Sequence, residues 1–247
     1  MSGLAVLEES GAESAGLDTT CRLRWYGGVR MKRVPHAWRS FVGALSVALV
    51  LVLSGAGLPP LRAADPLRVV LLVDSSSSMA TMLTEFRAGL RSFIENIPDD
   101  VEVALISTGG QLRVRLAPTS DKTKMQKAAS TFASDGGANS LLDTLLESDK
   151  RFLKPAGDRR QLFVILTTDQ PLLGEPPVYA YNTFVKDFLR RRGRAHGIVI
   201  RGTNSGLIST IVENLTGNTD GTYQVMVVGN SLAGRMKDIA EQVAAQQ

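Results

Sequence analysis

Leu67-Arg-Val-Val-Leu-Leu-Val73 runs without a break into Asp74-Ser-Ser-Ser-Ser-Met79. A near-continuous leucine and valine run of this length reads as a strand buried on both faces, the signature of a parallel sheet covered by helices. A further run, Gln161 to Thr167 (QLFVILT), has the same character, and Ala195 to Ile200 also reads as a strand. Between them lie amphipathic stretches. Met82, Phe86, Leu90, Phe93 and Ile97 recur at spacings of three and four, so the pattern predicts a helix over 81–97, stopped by Pro98. Val101 to Ser107 reads as a strand, and Thr108-Gly-Gly110 as a hairpin turn into Gln111 to Leu116, which should therefore run antiparallel. Further helices are expected over 121–133, 141–153, 179–192, 207–215 and 232–245, and a last strand over 223–228. Strands separated by helices predict an α/β, doubly wound, mostly parallel sheet with one antiparallel edge strand and helices on both faces.

The 247-residue chain has 28 Lys and Arg against 24 Asp and Glu. Seven of the basic residues and four of the acidic ones precede residue 65, which leaves 21 against 20 in the remainder. That balance gives no electrostatic reason to expect nucleic acid as a partner. The run Arg190-Arg-Arg-Gly-Arg194 falls at the end of a predicted helix, where cations complement the helix dipole.

Phe41 to Leu58 is apolar and uncharged, follows Met31-Lys-Arg and Arg39, and precedes Leu61-Arg-Ala-Ala-Asp65. A basic region, an apolar core and small residues read as a signal peptide over 31–64, cleaved after Ala63 or Ala64. An uncleaved inner-membrane anchor over 41–58 is the alternative. Either way the basic side stays inside, so residues 65–247 are expected outside the cytoplasm, periplasmic or secreted. The acidic stretch 1–30 fits neither scheme and reads as a non-native extension ahead of a start at Met31, or as a disordered segment. Cys21 is the only cysteine, so a processed chain would have no thiol for a disulfide, a zinc site or a nucleophile.

Ligand sites in such sheets gather at the carboxyl ends of the strands. Three loops there carry oxygen donors. Asp74, Ser76 and Ser78 stand at alternate positions after the first strand, Asn139 and Ser140 follow the turn Ser134-Asp-Gly-Gly-Ala138, and Asp169 ends a central strand. Two carboxylates with several neutral oxygens suit a hard divalent cation and leave a coordination position for an external carboxylate. A plainer reading makes the serine run a helix N-cap. In the same spirit Asp143 reads as a structural hydrogen-bonder and His196 as a packed side chain.

Asp-x-Ser-x-Ser at 74–78, the Gly136-Gly137 turn leading to Leu142-Asp143, and Thr168-Asp169 together resemble the metal-ion-dependent adhesion site of von Willebrand factor A domains. The resemblance extends over 67–247 and takes in Thr119-Ser-Asp121 and Gly217 to Tyr223. It implies Asp74, Ser76, Ser78, Asn139 and Asp169 as ligands of Mg2+ (or Mn2+ or Ca2+), and a protein partner that supplies an Asp or Glu carboxylate. Two departures stand out. Asn139 occupies the family's threonine position, and Thr168-Asp169-Gln170-Pro171 replaces the usual Thr-Asp-Gly, stiffening the third loop. No Gly-x-Gly-x-x-Gly, phosphate loop or nucleophile elbow occurs, and one histidine follows the leader, so the expected role is binding and not catalysis. The alternatives are a metal-independent scaffold with a degenerate site and, behind it, a Mg-dependent hydrolase.

Overall fold

Six strands form one sheet in the order β3-β2-β1-β4-β5-β6: β1 (Arg68–Val73), β2 (Glu102–Ser107), β3 (Arg113–Thr119), β4 (Gln161–Thr168), β5 (Arg194–Ile200) and β6 (Tyr223–Met226). All pairings are parallel except β2 with β3 at the edge. The computed structural model describes residues 67–171, 176–201, 206–227 and 231–245. Expectations about the leader, and the interior of the proline-rich loop, lie outside the described residues. Among these no helix is long and apolar enough to cross a membrane.

Alternation along the strands sorts the core into two layers. Val69, Leu71 and Val73 of β1 face α1 (Leu83–Asn96) and α6 (Leu232–Ala244), with α2 (Lys122–Ser130) beside them. Val70 and Leu72 face the other way, toward α3 (Leu141–Ser148), α4 (Val178–Arg190) and α5 (Leu207–Asn218). Every residue of β4 is buried, as a central strand covered on both faces requires. On the second face Phe163, Phe184 and Phe188 pack ring against ring, with centroids 5.4 to 6.1 Å apart.

Three boundaries differ from the sequence pattern. The chain after Ser76 first makes a 3-10 turn, Ser77–Met82, and is α-helical only from Leu83. Ser77 explains this, because its N–H and hydroxyl both donate to the carbonyl of Gly137 at 3.0 Å and tie it to a neighbouring loop. The expected helix over 141–153 stops at Ser148 and continues as a π turn, Asp149–Leu153. There Asp149 accepts two hydrogen bonds from Arg191, at 2.7 and 2.9 Å. β3 begins at Arg113 and reaches Thr119, two irregularities in register displacing it from the expected span.

Candidate functional site at the carboxyl edge of the sheet

β1 and β4 are neighbours whose following connections leave to opposite sides, so a crevice opens at their carboxyl ends. Asp74 and Ser76 come to it from β1, and Thr168 and Gln170 from β4. The backbone there is closely fitted. Gly109 has no room for a Cβ, which would lie 2.6 Å from the Ser75 carbonyl, and its N–H donates to Ser75 Oγ at 2.8 Å. Gly136 and Gly137 both take left-handed conformations, at φ +73° and +69°, which glycine adopts without steric cost.

Asp74 is fully buried. Its Oδ1 accepts from the N–H of Ser76 at 2.8 Å. Its Oδ2 accepts from the N–H of Thr168 at 3.1 Å, from the Thr168 hydroxyl in a short hydrogen bond, and more distantly from the Gln170 amide at 3.5 Å. A buried carboxylate needs such donors to replace water, and this set comes wholly from the chain. The same Gln170 Nε2 donates to Ser76 Oγ at 2.9 Å and to Thr168 Oγ1 at 2.6 Å. The amide nitrogen thus sits among one carboxylate oxygen and two hydroxyls. Ser76 makes no side-chain cap on the following turn, so the N-cap reading of the serine run does not describe it.

The remaining residues of the expected set point elsewhere. Asn139 is 2 % exposed, and both ends of its amide are engaged. Its Oδ1 accepts from Thr108 Oγ1 at 2.7 Å, and its Nδ2 donates to Thr167 Oγ1 at 2.7 Å. It bridges the ends of β2 and β4. Asp169 turns to α5, where its oxygens accept from the N–H groups of Gly206 and Ser209, each at 3.0 Å. Those are donors at a helix N-terminus, and Asp169 caps them. Ser78 is exposed on the 3-10 turn. The structure therefore brings Asp74 and Ser76 together, and leaves Asn139, Asp169 and Ser78 apart from them.

A divalent cation asks for about six oxygens, and Mg2+ for near-octahedral ones at roughly 2.0–2.1 Å. The crevice offers three, converging on a position that a nitrogen fills. As arranged, these residues do not fit a divalent cation.

Two participants escaped the sequence reading. Thr168 takes the role expected of its neighbour Asp169. Asp135 holds the loops together: its buried carboxylate accepts from Ser75 Oγ at 2.7 Å and Ser107 Oγ at 2.9 Å. It also pairs with Arg115 at 2.5 Å and Arg113 at 3.1 Å. Burial pushes its pKa up, but the hydrogen bonds from Ser75, Ser107 and Arg115 and the charge of Arg115 outweigh this and hold it below the usual range. Its position between Ser134 and the glycine pair was the available signal. Asp143, by contrast, is exposed and makes no side-chain hydrogen bond among the described residues. His196 is packed, 1 % exposed, and accepts at Nδ1 from the N–H of Thr222 at 3.1 Å.

Similar folds occur among solved structures. A von Willebrand factor type A protein from Catenulispora acidiphila is 16 % identical with a TM-score of 0.61, over 73 % of this chain and 43 % of its own. The conserved hypothetical protein BatB from Bacteroides thetaiotaomicron is 13 % identical, TM-score 0.55, over 73 % of this chain and all of its own. Proximal thread matrix protein 1 from the mussel byssus, with a zinc-occupied MIDAS motif, is 14 % identical, TM-score 0.58, over 73 % and 46 %. This chain thus spans less than half the length of the Catenulispora and mussel proteins. No curated protein sequence matches it. Residues 69–171 match the family model of the von Willebrand factor type A domain, and the described sheet and helices have that domain's fold.

Proposed function

We propose that this chain is an extracytoplasmic protein-interaction module that engages its partner through the loops at the carboxyl edge of the sheet, with no divalent cation in the Asp74 crevice. One observation carries the metal-free reading: the Gln170 amide nitrogen stands among Asp74, Ser76 and Thr168, where the resemblance would place a cation. The exposed Ser77 and Ser78 beside the crevice give a partner polar contacts, on loops held rigid by Asp135. The crevice contains no base and nucleophile pair, which supports binding over catalysis. The basic residues ahead of the apolar segment 41–58 support a location outside the cytoplasm.

A second reading keeps the metal. It draws on the convergence of Asp74 and Ser76 and on the zinc-occupied motif of the mussel protein, and it requires the Gln170 side chain to swing away. Recovering a partner on the immobilised full chain, with and without chelator, separates the two. The metal-free reading expects equal recovery in both, and loss when Ser77 and Ser78 are replaced by arginine. Recovery that chelator abolishes would support the second reading.

A further inference from the structure

The sheet ends in two edges of different character. At one, β3 carries Arg113 and Arg115, includes Pro118, which has no N–H to offer, and pairs with β2 through two irregularities in register. Charges, proline and irregular pairing are devices that keep an edge from joining another chain. β6, at the other edge, has none of them. From Gly221 to Val228 the sequence is Gly-Thr-Tyr-Gln-Val-Met-Val-Val, without charge or proline and rich in residues that favour strands. Among the described residues β6 pairs with β5 alone, in unbroken register.

The pairing with β5 fixes which groups face outward. The carbonyls of Thr222 and Met226 accept from the N–H groups of Gly197 and Arg201, at 2.8 and 2.7 Å. Successive residues of a strand direct their backbone groups to opposite sides, so those of Tyr223, Val225 and Val227 are directed away from β5. The same three side chains share one face of the sheet. Met226 packs in the layer of α1 and α6, and Tyr223 against the layer of α5. Val225 and Val227 take the parity of Tyr223, and they are 40 % and 79 % exposed.

We infer that β6 is the seam of a homodimer, pairing antiparallel with β6 of a second copy about a two-fold axis at Val225. That register uses the outward groups of all three residues in each copy. Val225 lies opposite Val225 of the second copy, and Tyr223 opposite its Val227, each pair exchanging two N–H to C=O hydrogen bonds. The edge suits a second copy because it is complementary to itself. Its uncharged length sets no like charges against each other. Exposed Asp220 stands just before its amino end, and exposed Arg201, bonded through its N–H to Met226, stands beside its carboxyl end. Antiparallel pairing brings Asp220 of each copy toward Arg201 of the other. On the α5 face, tyrosine meets valine and valine meets valine, cross-strand pairs that stabilise sheets. The two six-stranded sheets thereby become one. The seam is short, which places the dimer among weak, concentration-dependent ones. The Asp74 loops of the two copies lie at opposite ends of it, separate from the partner contact proposed above.

Sedimentation velocity of the full chain in neutral detergent, over a range of concentrations, tests this. The wild type is expected to pass from monomer to dimer as concentration rises. Val225→Lys and Val225→Glu each put two like charges on the axis and should weaken dimerisation about tenfold or more. Mixing the two variants should restore it, because lysine then faces glutamate; mixing would not rescue a damaged fold. Val114→Lys, at an exposed position of β3, should dimerise as the wild type does. A wild type that stays monomeric at every concentration overturns the inference. So does a dimer that both Val225 variants leave unchanged, one that Val114→Lys abolishes, or a loss that mixing does not restore.

Discussion

Replacing Asp135 by alanine removes the acceptor that joins the loop after β1, the end of β2 and the edge strand β3. Four groups lose it: the hydroxyls of Ser75 and Ser107, and the guanidinium groups of Arg113 and Arg115. Arg113 is 53 % exposed, so water replaces its partner at little cost. Arg115 is 24 % exposed against 4 % for Asp135, and it keeps a hydrogen bond to the Ala133 carbonyl at 3.2 Å. Breaking one side of a buried pair costs roughly 3–5 kcal/mol, and the retained bond places this case near 3. For a domain of this size that lowers Tm by about 6–12 °C, at roughly 2–4 °C per kcal/mol. Thermal melting followed by circular dichroism measures it. The sign of the pH dependence follows from the lowered carboxylate pKa. The stabilisation is complete above the unfolded value near 3.8 and is lost as pH falls through the folded one, so the gap between wild type and Asp135→Asn should close in acid. A melting temperature within about 2 °C of wild type for Asp135→Ala would refute the proposed latch, since it implies under about 1 kcal/mol.

Two other perturbations follow from the same geometry. Asp169→Ala removes the acceptor of two N–H groups at the start of α5 and should cost about 1–2 kcal/mol, a fall of roughly 2–8 °C in Tm; no change would show that Asp169 does not cap that helix. His196 is held neutral by burial first and by Arg194 second, with its pKa lowered from 6.5 to about 4. Its contribution is therefore full above pH 6.5 and lost as pH falls toward 4, by up to about 3 kcal/mol. Denaturant titrations across that window should show this slope in the wild type and lose it in His196→Gln.

The fold was legible because its signals are strong and local. Continuous runs such as 161–167 announce strands covered on both faces, and Gly109-Gly110 announces the antiparallel turn. The site was legible only in its first loop. Asp74 and Ser76 meet as the spacing suggested, but the fate of Asp169 depends on pleat. Along β4, Phe163 and Ile165 face the layer of α3, α4 and α5, and Asp169 shares their parity, which carries it to α5 while Thr168 points to Asp74. Asn139 stands at the family's threonine position, which cannot show that Thr108 and Thr167 satisfy both ends of its amide. Gln170 was noticed as a departure that stiffens a loop. That its side chain returns to the crevice is a tertiary fact with no local signature.

Whether the Gln170 amide stands where a cation would is tested by the melting temperature of the full chain with and without millimolar Mn2+. A shift of less than about 1 °C is expected in the wild type, because a ligand that does not bind the folded state adds nothing. A rise is expected in Gln170→Gly, where the position is vacated; manganese at a hundred times its Kd would add about 2.7 kcal/mol, roughly 5–11 °C. A saturable rise in the wild type that disappears in Asp74→Ala would contradict this reading, and would show that the crevice takes a metal with Gln170 in place.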